Sequence, residues 1–203
     1  MHDNHTRVLA CILAAAASSA LADIVRVDEF DSGMFEGFQD LDIESFDQDV
    51  VRIFDGAGSV YSTASGGDLH ATGSWSFMQR VSSYEGTHML GGNYGIGYSF
   101  DSAQKSFGGY FSSIIDNADG EIRFYSGEQL VGTDLVHAPT DTTWAWNGWS
   151  SDQSFDRVEI DSHYSTRGYL MHDAIRLLST SVPSPGGSVL AVGGLLVLVR
   201  RRR

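Results

Sequence analysis

The sequence predicts an all-β body, an antiparallel β-sandwich or barrel, for residues 23–178 of the 203-residue chain. Three observations predict it. Residues 23–181 show no long helical period, short runs of alternating apolar and polar residues recur there, and Gly, Asp and Ser separate these runs. Alternation of this kind is typical of half-buried strands that are joined by turns. We therefore expect one domain built from many short strands.

The alternation is clearest in two runs. Ile122 and Phe124 are two residues apart and share one face of a strand, and Val158 and Ile160 do the same. Gly127 is predicted to supply the turn of a hairpin after the first of these runs. The predicted strands are Val50–Phe54, Leu69–Val81, Tyr94–Phe100, Ser106–Ser113, Glu121–Tyr125, Gln129–Val136, Thr142–Trp149, Phe155–Asp161 and Tyr169–Leu177.

The first part of the body, Asp23 to Asp49, is rich in acidic residues interleaved with aromatic and aliphatic ones. This pattern predicts an irregular lead-in with one or two edge strands. A short helix between Gly37 and Gln48 is the alternative, because the same spacing also permits one helical face.

The charge of the chain is strongly uneven. The formal net charge is −13, but residues 23–181 hold 25 of the 26 acidic and 8 of the 13 basic residues, a net charge of −17. Nucleic acid is excluded as a partner, because neutralising phosphates requires clustered Lys and Arg. The remaining basic residues lie mainly at the C-terminal end.

The N-terminal segment has the features of a secretory signal peptide, which we assign to residues 1–22. Arg7 precedes an apolar run, and small residues stand at Ala20 and Ala22, so that cleavage is expected after Ala22. Cys11, the only cysteine, lies within this segment. The mature body must therefore fold without disulfides in an exported compartment.

The C-terminal segment is predicted to enter a membrane. A linker that carries a proline motif occupies residues 179–188, and residues 189–203 form an apolar helix that ends in four arginines. The apolar stretch is marginal in length for a spanning helix. The arginines would stay on the cytoplasmic side. The tail alone therefore predicts a brief membrane stop with the body outside.

This tail resembles the PEP-CTERM sorting signal of exported bacterial proteins, in its V-P-x-P-G form. The resemblance implies export, recognition and cleavage by an exosortase-type protease, and delivery to the cell surface or extracellular matrix. An ordinary tail anchor is the alternative. The residues that carry the resemblance are Val182, Pro183, Ser184, Pro185, Gly186, Arg200, Arg201, Arg202 and Arg203.

The body resembles the β-sandwich ectodomains found upstream of such signals, over about residues 100–178. The matching pieces are an aromatic–glycine strand at Ser106–Phe111, a hairpin at Ile122–Gly132, the run Trp146–Ile160 and a closing strand at Gly168–Leu177. The resemblance implies a jelly-roll, galactose-binding-like or lectin-like module. It leaves the activity open, because sandwiches host many functions.

Two tryptophans are candidates for stacking on sugar rings. Trp144 and Trp146 are two residues apart, so on a strand they share one face. Exposed indoles would offer large apolar area at a fixed geometry. Packing in the core is the alternative for both, and it is the interpretation that we favour for Trp149.

A structural calcium ion is the candidate cofactor. The jelly-roll resemblance implies such a site where the first strand meets the last, and Glu36 and Asp173 stand at suitable chain ends. Carboxylate oxygens are the ligands that calcium requires. No zinc-ligand spacing occurs among the histidines, and no other cofactor is predicted.

The function we predict is that of an exported, surface-sorted and non-catalytic protein, a structural or adhesive component of the extracellular matrix or cell envelope, with polysaccharide as the candidate ligand. The alternative is a small carbohydrate-active enzyme, a glycoside hydrolase or lyase, on the same fold. A binding module should carry exposed aromatic rings on a shallow face, whereas an enzyme should show a cleft with two close carboxylates. No catalytic residue is assigned, because the body has neither a Gly-x-Ser-x-Gly motif nor a cysteine.

Overall fold

The protein is an antiparallel all-β protein, as predicted. A computed structural model describes residues 21–39, 41, 44–45, 50–63, 69–76, 80–114, 120–162 and 169–180. A short 3₁₀ helix, Phe54–Gly56, interrupts the strands. The described strands are β1 (Ile24–Arg26), β2 (Met34–Glu36), β3 (Glu44–Ser45), β4 (Val51–Ile53), β5 (Gly58–Ser62), β6 (Leu69–Thr72), β7 (Ser74–Ser76), β8 (Arg80–Ser82), β9 (Met89–Asn93), β10 (Gly95–Ser113), β11 (Gly120–Ser126), β12 (Gln129–Val136), β13 (Ala145–Ser162) and β14 (Tyr169–Leu178).

Twelve of the described strands form one antiparallel sheet that folds over on itself into two leaves. The first leaf has the order β4-β5-β10-β13-β11-β12 and uses the start of β10 and the end of β13. The second leaf uses the end of β10 and the start of β13, and has the order β1-β13-β10-β14-β9-β6-β3, with β2 also beside β14. Only β7 and β8 form a separate hairpin among the described strands.

The two longest strands correct a prediction. Tyr94–Phe100 and Ser106–Ser113 were expected to be separate strands, but β10 runs through both, and β13 likewise joins its two predicted runs. The polar residues between the runs suggested turns. They lie instead where the strands cross between leaves, and the β10–β13 register shifts on both sides of Gln104. Such bulges bend a strand without ending it.

A core of aromatic and aliphatic side chains fills the space between the leaves. Trp149 is fully buried, which confirms its predicted core position. Its ring lies 6.1 Å from that of Phe124, which belongs to the other leaf, and Phe155 lies 5.0 Å from Phe124. Full burial of side chains of this size stabilises a fold by about 1.5–3 kcal/mol each, so these rings hold the leaves together.

One buried polar contact joins the two leaves inside this core. The Tyr98 hydroxyl lies 2.8 Å from Nδ1 of His172, and both side chains are fully buried. The Nε2 atom of His172 is buried and has no hydrogen-bond partner. Burial lowers the pKa of His172 to about 3, because a charged imidazole would have to leave water.

Several smaller predictions are settled by the strand boundaries. Gly127 takes a φ of +58° in the β11–β12 hairpin, which confirms the predicted turn. The predicted strand Leu69–Val81 is wrong in part, since β6 ends at Thr72 and β7–β8 follow outside the main sheet. The strand is interrupted at Gly73. The backbone of this residue lies so close to the Thr87 carbonyl oxygen that an added Cβ would be 2.7 Å from it.

The described part of the lead-in contains three short strands, β1, β2 and β3, where one or two edge strands were predicted. The described residues of the alternative helical range 37–48 include β3 and no helix. Residues 1–20 and 181–203 lie outside the described residues, and with them the sorting motif and nearly all of the predicted signal peptide. In the described part of the chain, no helix has the length and apolar character that crossing a bilayer requires.

The outer face of the first leaf is covered by ion pairs. The Arg123 guanidinium pairs with Asp161 and lies 3.6 Å from Glu159, and Arg157 lies 2.7 Å from Glu159. Tyr61 lies flat over Gly97 beside them, where an added Cβ would be 2.2 Å from its ring. This face is therefore polar and largely self-neutralised.

Replacing His172 with Gln should make the protein less sensitive to acid. Below pH 6.5 the unfolded chain binds a proton that the folded chain excludes down to about pH 3, so parent stability falls as the pH drops through this range. Between pH 7.5 and pH 5 this histidine should cost the parent about 2 kcal/mol of unfolding free energy. Urea unfolding of parent and variant at both pH values measures the difference.

His137→Gln provides the control for exchanging an imidazole for an amide, since His137 is exposed whereas His172 is buried. Asp173 changes the stability in the opposite direction. Burial raises its pKa to about 6, so the folded chain retains a proton that the unfolded chain releases near pH 3.8, and the stability falls as the pH rises from 3.8 to 6. That contribution is present in parent and variant alike. An equal loss of stability in parent and His172→Gln would contradict the assignment.

Candidate functional site

A β-bulge in β14 decides which side chains reach the outer face of the second leaf. Leu170 and His172 point into the core, and so do Ile175 and Leu177, which are out of phase with the first pair. The extra residue is Ala174, whose φ is +50°, and the β10–β14 register shifts at the same point. Without the bulge, strict alternation would turn Arg176 inward. With it, Arg176 reaches the outer face.

The outer face also depends on a glycine in β10. The Trp146 indole lies directly over Gly108, where an added Cβ would be 2.6 Å from Cη2 of the ring. Its Nε1 donates a hydrogen bond to the Val27 carbonyl oxygen at 3.2 Å. Phe30 packs edge-on against the same ring, with the centroids 5.6 Å apart. The indole is thus fixed between the sheet and the N-terminal segment.

Four rings in contact cross this face, and Arg176 connects a fifth ring to them; we name these five residues the aromatic strip: Phe35, Trp146, Tyr110, Tyr84 and Trp144. Tyr84 stacks on Tyr110 with centroids 3.7 Å apart, Tyr110 lies 5.5 Å from Trp146, and Tyr84 lies 6.3 Å from Trp144. The Arg176 guanidinium lies 5.7 Å from both the Trp146 and the Phe35 rings. Phe35 and Tyr84 are each 44% exposed, so two rings of the strip meet solvent.

Charged groups complete the strip around Arg176. Glu29 accepts a hydrogen bond from the Tyr110 hydroxyl at 2.5 Å and a second one from Arg176, and Asp31 lies 3.3 Å from Arg176. Burial raises the pKa of Glu29, but the hydrogen bonds from Tyr110 and Arg176 outweigh it and the pKa is lowered. Burial and the bond to Glu29 raise the pKa of Tyr110. At neutral pH, Glu29 is therefore ionised and Tyr110 is a donor.

A cleft of about 230 Å³ opens beside the strip, and we refer to it as the strip cleft. Phe35, Arg176 and Glu85 bring an aromatic ring, a cation and a carboxylate to its lining. Its lining residues are Asp31, Ser32, Gly33, Met34, Phe35, Glu85 and Arg176. Phe35 also borders a second cleft of about 340 Å³, which extends past Glu36 towards Arg52. The exposed Phe35 ring thus stands between two concave surfaces.

Trp144 and Trp146, the predicted stacking residues, both lie in the aromatic strip but are half-buried. Trp144 packs against a small second core formed by Val81, Met89, Ile114 and Met171. Its Nε1 donates to the Ser82 carbonyl oxygen at 3.0 Å, which ties the β7–β8 hairpin to the leaf. Each indole therefore fixes a neighbouring segment, and a direct stacking role for them stays a prediction.

Glu36 and Asp173, the predicted calcium ligands, lie on the neighbouring strands β2 and β14. Both oxygens of Glu36 accept backbone N–H groups, from Phe38 at 2.8 Å and from Phe54 at 2.6 Å. Both oxygens of Asp173 also accept backbone N–H groups. Among the described residues no group of three His, Cys, Asp or Glu could hold a metal ion. These oxygens do not form the shell that calcium needs, and calcium binding stays an untested prediction.

The alternative of an enzyme needs a carboxylic acid with a raised pKa in a cleft. Burial raises the pKa of Asp173 to about 6. Its side chain is fully buried, however, and its oxygens are held by backbone N–H groups, so that it cannot reach a substrate. Glu29, which pairs with the Arg176 of the strip cleft, has a lowered pKa. No observation on the described residues favours the alternative, and the absence of an enzymatic activity stays a prediction.

Sequence reasoning missed most of the residues that form this site. Phe35 lies on a three-residue strand and Tyr84 in a loop, so neither shows a period. Arg176 and Glu29 are 147 residues apart in sequence. One signal was present: the apolar residues Ile175 and Leu177 are out of phase with Leu170, which indicates a bulge near Asp173.

Comparison with known proteins gives only remote similarity. No protein-family model and no curated protein matches the chain. Among solved structures, the chain is similar to a xylan-binding domain of carbohydrate-binding module family 22 from Paenibacillus barcinonensis, with 15% identity, a TM-score of 0.43 and coverage of 81% of this chain and 100% of that one. A family 11 carbohydrate-binding module from Clostridium thermocellum, in complex with a β-1,3-1,4-mixed-linked tetrasaccharide, has 12% identity, a TM-score of 0.38 and coverage of 81% and 100%. At these values the similarity carries no argument about function.

Replacing Gly108 with Ala should displace the Trp146 indole and destabilise the protein. The added methyl group would overlap the ring, which the Val27 hydrogen bond and Phe30 hold in place. Overpacking of this kind costs about 1–3 kcal/mol of unfolding free energy. Urea unfolding measures the cost, and tryptophan emission reports the movement of the ring.

A Trp146→Leu background provides the control for this substitution. Once the indole is absent, Gly108→Ala should cost much less than in the parent, as a double-mutant cycle would show. An equal cost in both backgrounds would contradict the assigned contact.

Proposed function

We propose that this protein is an exported, surface-sorted and non-catalytic protein that binds polysaccharide through the aromatic strip. The observation that carries the proposal is the aromatic strip beside the strip cleft, in which Phe35 and Tyr84 are each 44% exposed and Phe35 and Arg176 line the cleft. Isolated exposed apolar residues are ordinary on protein surfaces. Here Tyr84 belongs to a set of rings in contact, and Arg176 connects that set to Phe35 and to a concave surface, the arrangement expected of a binding site.

The chemistry of the strip suits a sugar chain. Aromatic faces offer flat apolar area to the C–H faces of pyranose rings at little cost in side-chain entropy. Arg176 can donate to sugar hydroxyls, and the carboxylates of Asp31 and Glu85 can accept from them. The donor Arg176 and the acceptors Asp31 and Glu85 all line the strip cleft. A chain of sugars would thus find stacking surfaces and hydrogen-bonding groups side by side.

The charges favour an uncharged polysaccharide. Arg176 is already paired with Glu29 and Asp31, so the strip cleft has no surplus positive charge for uronic acids or sulfates. Residues 23–181 carry a net charge of −17, which repels polyanions at long range. Neutral glycans meet neither obstacle.

Export and sorting form the second part of the proposal. The predicted signal peptide ends at Ala22, at the edge of the sheet, where the Ala22 amide donates to the Val131 carbonyl oxygen at 2.7 Å and the Asp23 amide donates to Oδ1 of Asp152 at 3.1 Å. An N-terminus at Asp23 would put its ammonium group beside that carboxylate. The V-P-x-P-G motif and arginine cluster would hold the chain in the inner membrane until an exosortase-type protease cleaves it. The body, in this proposal a jelly-roll, is then delivered to the cell surface or extracellular matrix.

Purified full-length protein should bind at least one neutral polysaccharide in affinity electrophoresis. Xylan and mixed-linkage β-glucan are suitable neutral probes, and a polyuronate is the anionic one. Phe35→Ala and Tyr84→Ala should each weaken binding about tenfold, the loss expected when one stacking contact of roughly 1.4 kcal/mol is removed. Repeating the titration with a calcium chelator tests the predicted cofactor.

Tyr94→Ala is the matched control. Tyr94 is 40% exposed, nearly as much as Tyr84, but it has no recorded contact with the aromatic strip. Its removal should leave the affinity unchanged. Equal weakening by Tyr94→Ala and Tyr84→Ala would place the binding elsewhere, and failure of every neutral probe to bind would overturn the proposal.

Export from a bacterial host should shorten the protein at both ends. Intact mass should show an N-terminus at Asp23, and it should show loss of the arginine tail only in a host that contains an exosortase-type protease. A host without this protease is the control. A mass that begins at Leu21 would move the cleavage to Ala20, and an uncleaved chain in the cytosol would contradict export.

A further inference from the structure

A buried carboxylate holds one wall of the strip cleft. Oδ2 of Asp173 accepts the backbone N–H groups of Tyr84 and Glu85, at 2.7 and 3.1 Å. Its Oδ1 accepts the N–H group of Ala174 at 2.7 Å. The Asp173 side chain is fully buried. Hydrogen bonds from N–H groups to a charged acceptor are among the stronger ones in proteins, so this carboxylate is an effective anchor.

The anchored segment contributes two side chains to the site. Tyr84 stacks on Tyr110 within the aromatic strip and lies 6.3 Å from the Trp144 ring, and Glu85 lines the strip cleft together with Phe35. The turn closes at Gly86, which has a φ of +63° and whose carbonyl oxygen accepts the Ser83 hydroxyl at 3.2 Å. The backbone N–H groups of residues 84 and 85 both donate to Asp173. Asp173 therefore fixes the backbone from which these two side chains project.

The bulge relates this anchor to Arg176, which also lines the cleft. Asp173 and Arg176 belong to the same strand, on either side of the phase shift at Ala174. A single stretch of β14 thus holds the Tyr84–Glu85 segment by hydrogen bonds and carries the cationic group of the cleft.

We propose that Asp173 is a positioning residue of the carbohydrate site, which holds Tyr84 in the aromatic strip and Glu85 in the lining of the strip cleft. Asp173 itself does not touch the ligand. It acts through two backbone N–H groups and a stacked ring. The inference rests on the proposed function for its ligand, but the anchor can be measured without any ligand.

Amide hydrogen exchange of the unaltered full-length protein tests the anchor first. The Tyr84 and Glu85 amides should exchange at least tenfold more slowly than the other amides of the same loop, because they are hydrogen-bonded to a buried acceptor. Exchange at the rate of an open loop would overturn the proposal, and this measurement needs no variant. In Asp173→Asn, one acceptor oxygen is lost, and the protection of these two amides should fall while that of the β10 amides is retained.

Asp156→Asn is the matched control, because Asp156 also accepts a backbone N–H group, that of Gly127, at 3.0 and 3.1 Å from its two oxygens. Asp156 lies on β13 in the first leaf, where it contacts the β11–β12 turn, whereas the strip lies on the second leaf. This variant should change neither the Tyr84 and Glu85 amides nor the affinity for polysaccharide. A loss of affinity there would show that the assay follows general stability.

The affinity for whichever neutral probe the parent binds, xylan or mixed-linkage β-glucan, completes the test. Asp173→Asn should weaken binding about tenfold in the parent, but much less in a Tyr84→Ala background, because the anchored ring is already absent. A purely structural role would weaken binding equally in both backgrounds and would overturn the proposal. If no probe binds the parent while the two amides are protected, the proposed function fails and the anchor stands.

Discussion

The pairing of β10 with β13 is the constraint on which the rest of the structure depends. Both strands run through the two leaves, so the sheet that they form must bend over its own core. Each leaf then adds its remaining strands to the free sides of this pair. Trp149 and Phe124 meet across the gap because the bend brings the start of β13 opposite β11. The bend decides which residues face inward throughout the second leaf.

The bulge in β14 converts this frame into a site. A single additional residue at Ala174 reverses the alternation of the strand and turns Arg176 towards Trp146 and Phe35. A left-handed conformation at an alanine costs roughly 1 kcal/mol. Asp173 offsets part of this cost, since it accepts the N–H group of that alanine. The same carboxylate therefore stabilises the irregularity and holds the loop that the irregularity serves.

The body could be predicted from the sequence wherever one short period dominates. The alternation around Ile122 and Phe124 identified β11, and Gly127 identified its turn. The continuity of β10 could not be predicted, because the polar residues at its bend have the composition of a turn. The site was harder still, since β2 is three residues long and Asp173 lies 89 residues from Tyr84. Contacts at such separations follow from the fold and leave no local pattern.

The position of β14 has a consequence for the order in which the chain can assemble. It is the last of the described strands, yet it lies between β10 and β9 in the middle of its leaf. Until residues 169–178 emerge, β9 and β6 have no partner that connects them to β10, and an open edge invites pairing with other chains. Strand β1 likewise has no pairing partner until β13 has been made, since Ile24 pairs with Ser151. A nascent chain of this protein therefore stays unprotected until nearly all of its body has been made, and its late, long-range contacts make folding slow.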